Sequence, residues 1–389
     1  MIMQPTFDLF RLVGGVTGWM ICVCLMMLFL LREKNSHKKH FPFKISFCFL
    51  FVSYFISYSF GEYNQPSAFM PYLGNAFLIF LLWKYYIPSM SNIKFILVVG
   101  GIYYLVLAIY GIYEGVSFTR PFTDWYYKVS NSIRDDDIGE RFGLNRAYSL
   151  TMYITYFANA CGIGLIFLTH VMLYQKNVYI PRFLTISYIF VMIGGILVSA
   201  DRSAMLMTTI FMTSLIPFAL NQKKWIFLAL FVSICVYYKY SEYFDEIYYA
   251  LTHVDDVSGS NLSMRGSQLK AAAREFNTSP IWGHGLSAIG KIKEHSNLDL
   301  LGGESYMFEL LVNYGILGIW AYIYLNVSSL IYLIKKHAFK IIPVLVGFIV
   351  YNLMALPVNI LYIFPFIIVL LRNEDLTETR FVRMLNDRR

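Results

Sequence analysis

The chain has 389 residues, of which 57% are hydrophobic, 18% aromatic and only 14% charged, with a formal net charge of +8. A soluble globular domain carries about 25% charged residues, so the composition excludes one, and the apolar surplus gathers in runs of the length that crosses ~30 Å of hydrocarbon. The fold class expected is an all-α polytopic membrane protein, since an open sheet leaves backbone groups unpaired in lipid. The positive charge is assigned to cytoplasmic loops and not to nucleic acid.

The first apolar run, Leu9 to Leu31, is of span length and precedes Arg32, Lys34, Lys38, Lys39 and Lys44. It is therefore read as a span and not a cleaved leader, and the basic loop is placed in the cytoplasm. Further spans are expected at Ile45–Gly61, Ala68–Ile87 and Phe95–Tyr113. A first large loop, 114–147, lies outside, with Asp135, Asp136 and Asp137 followed by RFGLNRAY. The acidic run is read as solvated rather than as a Mg²⁺ or Ca²⁺ site. Spans follow at Tyr148–Leu173, Phe183–Ala200, Ser203–Leu220 and Trp225–Tyr240, the second and third of them joined by the tip Asp201-Arg202. A second large outside loop covers 241–304, and the next span covers Ser305–Ile334.

The run Ile341–Leu371 is too long for one untilted span at 1.5 Å per residue. It is read as two short helices turning near Pro357, ahead of a basic tail. The total is about eleven spans in one membrane domain, 1–389. The cysteines, Cys22, Cys24, Cys48, Cys161 and Cys235, all lie in apolar runs and read as small buried hydrophobes. The spans hold few ionisable groups away from their ends. Ion-coupled transporters keep such groups at the midplane, so the pattern favours chemistry at the outer face.

Besides the acidic run Asp135–Asp137, three places can carry that chemistry. In SADRSA, Ser199–Ala204, the guanidinium of Arg202 can hold two phosphate oxygens; it can equally pair with Asp201 or reach for the interface. Arg265 opens a loop helix, Met264–Phe276, with an expected apolar stripe of Leu269, Ala272, Ala273 and Phe276. Its charge can add to the positive helix end, or the segment can be a solvated face. Arg274 is expected on that helix's exposed side. In SPIWGHG and GGES the glycines allow close backbone approach. His284 and His295 have no partner at metal-ligand spacing, so no metal and no cofactor is expected. Glu304 can be a base or a helix-dipole partner. Glu309, about one turn on, is expected to pack within the span.

Together these residues resemble the bacterial O-antigen polymerase and ligase superfamily. SADRSA resembles its serine–arginine tip, RGSQLKAAAREFNTSPIWGHG its arginine, helix and glycine turn, and ESYMFELLVNYGILG its entry to the next span. RFGLNRAY, with Arg141, Gly143 and Asn145, is similar to its upstream loop. It departs there, with Asn145-Arg146-Ala147 in place of asparagine–proline–asparagine. The resemblance covers roughly Arg141 to Gly318.

The resemblance implies a C-type glycosyltransferase-like fold in the bacterial inner membrane. Its substrates would be undecaprenyl-diphosphate-linked oligosaccharides, its surroundings membrane lipid, and a chain-length regulator protein its partner. The roles it implies are diphosphate binding by Arg202 and Arg265, proton acceptance by Glu304, and substrate contact by Arg141, Asn145, Arg274 and His284. Ligases usually carry histidine–asparagine where this chain has Glu304-Ser305, which favours the polymerase branch over a ligase acting on lipid A–core. A flippase would need charges inside the spans and two related halves, and neither is visible.

Overall fold

A computed structural model describes residues 41–64, 66–86, 89–130, 140–141, 144–151, 154–174, 180–213, 241, 262–295, 305–355, 361 and 363–372. The expected first and eighth spans, Asp135–Asp137, Glu304 and the Pro357 turn lie outside them. The regular structure of the described residues is helical apart from one two-residue antiparallel pair, with Glu140 opposite Asn145 and Arg141 opposite Leu144. Among them, four helices are long and apolar enough to cross a membrane: Ser91–Ser117, Ile154–Leu173, Arg182–Ser199 and Tyr306–Lys335. Two shorter apolar helices cover Lys44–Phe60 and Ile342–Met354.

Those helices turn apolar side chains outward. Ile102, Val106, Ile109, Tyr113 and Val116 form an exposed stripe with helical spacing, as do Ile316, Trp320, Ile323, Val327 and Ile334. A water-soluble helix hides such a stripe; a helix in lipid displays it, which is the membrane signature in the three-dimensional structure.

The described residues divide into two compact units, one from 89 to 213, the other at 41–86 and from 262 onward. The first unit holds α3 (Met90–Phe95), which runs through a π turn at Ile96–Gly100 into α4 (Gly101–Ser117), then α5 (Pro121–Ser130), α6 (Ile154–Tyr174), α7 (Arg182–Ser199) and α8 (Arg202–Thr213). Most of α6 is buried, because α4, α7 and α8 all pack on it. The fourth span starts earlier than Phe95 because Ser89 caps α3, its side chain accepting the Asn92 N–H at 3.1 Å. It also ends later than Tyr113. Helix α4 continues to Ser117 and stops where Phe118 turns left-handed at φ 55°, so the loop expected to begin at Glu114 begins beyond it. That loop contains α5. The fifth span starts at Ile154 and not at Tyr148, since Ser149, at φ 52°, leaves the helical region.

The second unit holds α1 (Lys44–Phe60), α2 (Pro66–Tyr85), α9 (Leu262–Thr278), α10 (Ala288–His295), α11 (Tyr306–Glu309) with a π turn at Leu310–Tyr314, α12 (Gly315–Lys335) and α13 (Ile342–Met354). A further helical stretch covers 364–372. The inner face of α12 carries Gly318, Ala321, Leu325 and Ser329 and packs on α1. Ser46 and Ser328 share a hydroxyl–hydroxyl bond of 2.6 Å there. Small residues and hydroxyl bonds are what join helices in lipid, where apolar surface gives no drive to associate.

Two further expectations change. The stripe on α9 is rotated by one position. Leu269 is 51% exposed and Ala273 is exposed, while Gln268, Ala271 and Ala272 are buried. The alanines let α9 lie close to Phe308 and Val312, a contact the larger Leu269 would hold open. Among the cysteines, Cys161 is buried but Cys48 is exposed on α1.

Candidate functional site

The described residues gather the chemistry-bearing motifs into two clusters, one in each unit. In the first unit, α7 ends at Ser199 with Ala200 left-handed at φ 49°. This reverses the chain so that Asp201 can begin α8. The Asp201 side chain accepts the N–H groups of Ser203 at 2.9 Å and Ala204 at 3.1 Å through Oδ1, the bonding of an N-cap. Those two amides are therefore already used. Arg202 is the first residue of α8 and is half-buried.

The upstream motif docks on this tip. Ala147 donates its N–H to Val198 O at 3.1 Å, and Arg146 donates Nε to Ser199 O at 3.3 Å. The structure thus unites the RFGLNRAY and SADRSA motifs through Arg146 and Ala147. The backbones of Arg141 and Asn145 lie on the short hairpin just before it. Arg120, buried before α5, sets its guanidinium 4.8 Å from the centre of the Tyr148 ring. Sequence reading missed both Arg120 and Arg146. The signal present was a basic residue beside Pro121 and one inside a motif, and neither announces a partner far along the chain.

In the second unit the glycine turn repairs a broken helix. At Gly315, φ 61°, the helix that began at Tyr306 is interrupted and restarts as α12. The carbonyls of Val312 and Asn313 receive the N–H groups of His284 at 2.8 Å and Gly285 at 3.1 Å. On the other side of the break, the N–H groups of Ile316 and Leu317 go to Pro280 O at 2.9 Å and Ile281 O at 3.2 Å. The turn therefore supplies donors to the end of one helix and acceptors to the start of the next, as non-helical backbone in a membrane domain requires. Gly283, φ +72°, has no room for a side chain: an added Cβ would lie 2.4 Å from Asn313 C and O. Ser57 Oγ donates to Asn313 O at 2.6 Å, and Asn313 Oδ1 accepts the Ile289 N–H at 2.9 Å.

The remaining candidates are distributed around this turn. His284 is buried, with Nε2 2.8 Å from Thr278 Oγ1 and 2.9 Å from Glu275 O. It ties the turn to the last turn of α9, so its ring is engaged in structure. Arg274 is exposed, as expected, and Arg265 lies in the first turn of α9. Glu309 meets a tyrosine hydroxyl. Tyr72 donates its hydroxyl to Glu309 Oε1 at 3.3 Å and accepts from Tyr314 at 3.4 Å. Tyr54 stacks on Tyr314 with centroids 4.4 Å apart and shares a 2.9 Å hydroxyl bond with Tyr306. Tyr54, Tyr306 and Tyr314 are fully buried, whereas Glu309 and Tyr72 keep partial exposure. Sequence reading missed this acid–tyrosine cluster, whose members come from α1, α2 and the arm before α12.

No protein-family model matches the chain, and no curated protein matches it.

Proposed function

We propose that the chain is an integral-membrane glycosyltransferase that joins oligosaccharide repeat units carried on undecaprenyl diphosphate, an O-antigen polymerase at the outer face of the bacterial inner membrane. The observation that carries the reading is the bond from Arg146 to Ser199 O, which fastens one arginine-bearing motif to the tip that bears Arg202. Two guanidinium groups borne on adjoining backbone suit a diphosphate, whose oxygens pair with such forks better than with ammonium groups.

The chemistry is a substitution at the anomeric carbon of the growing chain. A hydroxyl oxygen of the incoming unit's non-reducing sugar forms the new C–O bond, and the bond to the diphosphate breaks. The electron pair leaves with undecaprenyl diphosphate, whose growing charge is assigned to Arg202 with Arg146 beside it. The hydroxyl proton passes to a carboxylate, assigned to Glu304. A chain-length regulator is the expected protein partner.

The test is the lipopolysaccharide of a strain lacking the gene. A polymerase mutant leaves core bearing one repeat unit, and the wild-type gene restores the ladder. Bare core in the mutant would point to the ligase or flippase reading.

A further inference from the structure

We propose that Glu114 is a positioning residue of the arginine site: its carboxylate fixes the strap 146–149 so that Arg146 stays on the Ser199–Arg202 tip. The proposal rests on the reading of that tip as a diphosphate site. Glu114 Oε2 accepts the N–H of Ser149 at 2.7 Å and that of Tyr148 at 3.1 Å. Ser149 is held at φ 52°, a conformation that is strained for a non-glycine residue and persists only where its surroundings impose it. Two bonds impose it here: the one to Glu114, and the one from Ser149 Oγ to Leu107 O at 2.8 Å.

The next two residues upstream are fixed to the other side. Ala147 N–H goes to Val198 O and Arg146 Nε to Ser199 O. Four consecutive residues thus bridge α4 and the α7–α8 tip, with Glu114 holding one end and Arg146 the other. Arg120 closes the arrangement, its guanidinium over the Tyr148 ring and its charge acting on Glu114. Packing alone does not call for a carboxylate at a position that is 0% exposed, since burying a charge is costly. A carboxylate is suited to collecting two backbone amides at once. The consequence is preorganisation: the arginine meets its anion without first ordering the loop that bears it.

The experiment uses the full chain, purified in lipid nanodiscs, with undecaprenyl diphosphate as the probe and thermal unfolding recorded for every variant. Arg146→Lys weakens binding about tenfold, the worth of one charge-assisted hydrogen bond. Glu114→Ala weakens it about as much in the folded protein, although Glu114 does not belong to the set that meets the ligand. Glu114→Gln keeps an oxygen at the right reach and binds close to wild type. Glu114→Asp keeps the charge but retracts it, and binds more weakly than Glu114→Gln. This order, Gln above Asp, decides the matter even where the alanine variant does not fold. Wild-type affinity in folded Glu114→Ala, or Asp binding as well as wild type with Gln impaired, overturns the positioning role and leaves the diphosphate reading standing. Absence of binding by the wild type overturns both.

Discussion

Arg146 Nε donates to the carbonyl of Ser199 at 3.3 Å, so a residue of the loop after α5 is bound to the residue that ends α7. The contact joins positions more than fifty residues apart in sequence, and it brings Arg146 to within three positions of Arg202 on the partner segment.

The first prediction concerns these guanidinium groups. Arg202→Lys and Arg146→Lys each lose most polymer, about tenfold or more, because an ammonium cannot reproduce a two-pronged contact. Arg274→Lys, at an exposed position of α9, has a milder effect. The check is the lipopolysaccharide ladder at matched protein level. Full-length ladders from both Arg146→Lys and Arg202→Lys would return these residues to purely structural roles.

Gly283→Ala tests the repaired helix break. The substitution places a Cβ 2.4 Å from the Asn313 backbone and holds alanine at φ +72°. The left-handed backbone alone costs about 1–3 kcal/mol, and the clash adds to it. The expected outcome is a lowered melting temperature and lowered accumulation in the membrane, with activity falling in proportion to folded protein. An unchanged melting temperature would mean that the turn does not sit in the break.

Glu304 and Glu309 are predicted to separate. Glu304→Gln inserts and accumulates normally but polymerises about 10²–10⁴-fold more slowly, the usual cost of removing a general base. Glu309→Gln disturbs the carboxylate that receives the Tyr72 hydroxyl, so protein level and activity fall together, and Tyr72→Phe reproduces part of that loss. Loss of polymer at normal protein level in Glu309→Gln, with Glu304→Gln active, would move the proton acceptor to Glu309.

Much of this was legible in the sequence, and the misses have physical causes. The helices at Lys44–Phe60 and Arg182–Ser199 follow from apolar runs bounded by charge or glycine. The glycines of SPIWGHG correctly announced close backbone approach, but not what they approach. Val312 and Gly315 are about thirty residues away, and a helix break inside an apolar run leaves no compositional mark. The boundary at Glu114 misled because a carboxylate normally ends a span; here two amides from residues 148 and 149 receive it. The stripe expected on α9 included Leu269 and Ala273, whereas the fold buries Gln268, Ala271 and Ala272.

Orientation gives a fourth prediction. Reporters fused within Asp255 to Asp299 lie outside the cytoplasm, while those fused at Lys38 or after Arg372 lie inside, as the basic short loops require. A cytoplasmic signal from the long loop would put the arginines and the glycine turn on the wrong side for lipid-linked repeat units assembled at the outer face.

The most direct measurement is reconstitution. Purified chain in vesicles is given undecaprenyl-diphosphate-linked repeat units, and the products are sized. The account predicts saccharides that grow by whole repeat units, with one undecaprenyl diphosphate released per linkage, and growth abolished by Arg202→Lys. No elongation by the folded wild type, or transfer that occurs only when lipid A–core is supplied, would contradict it.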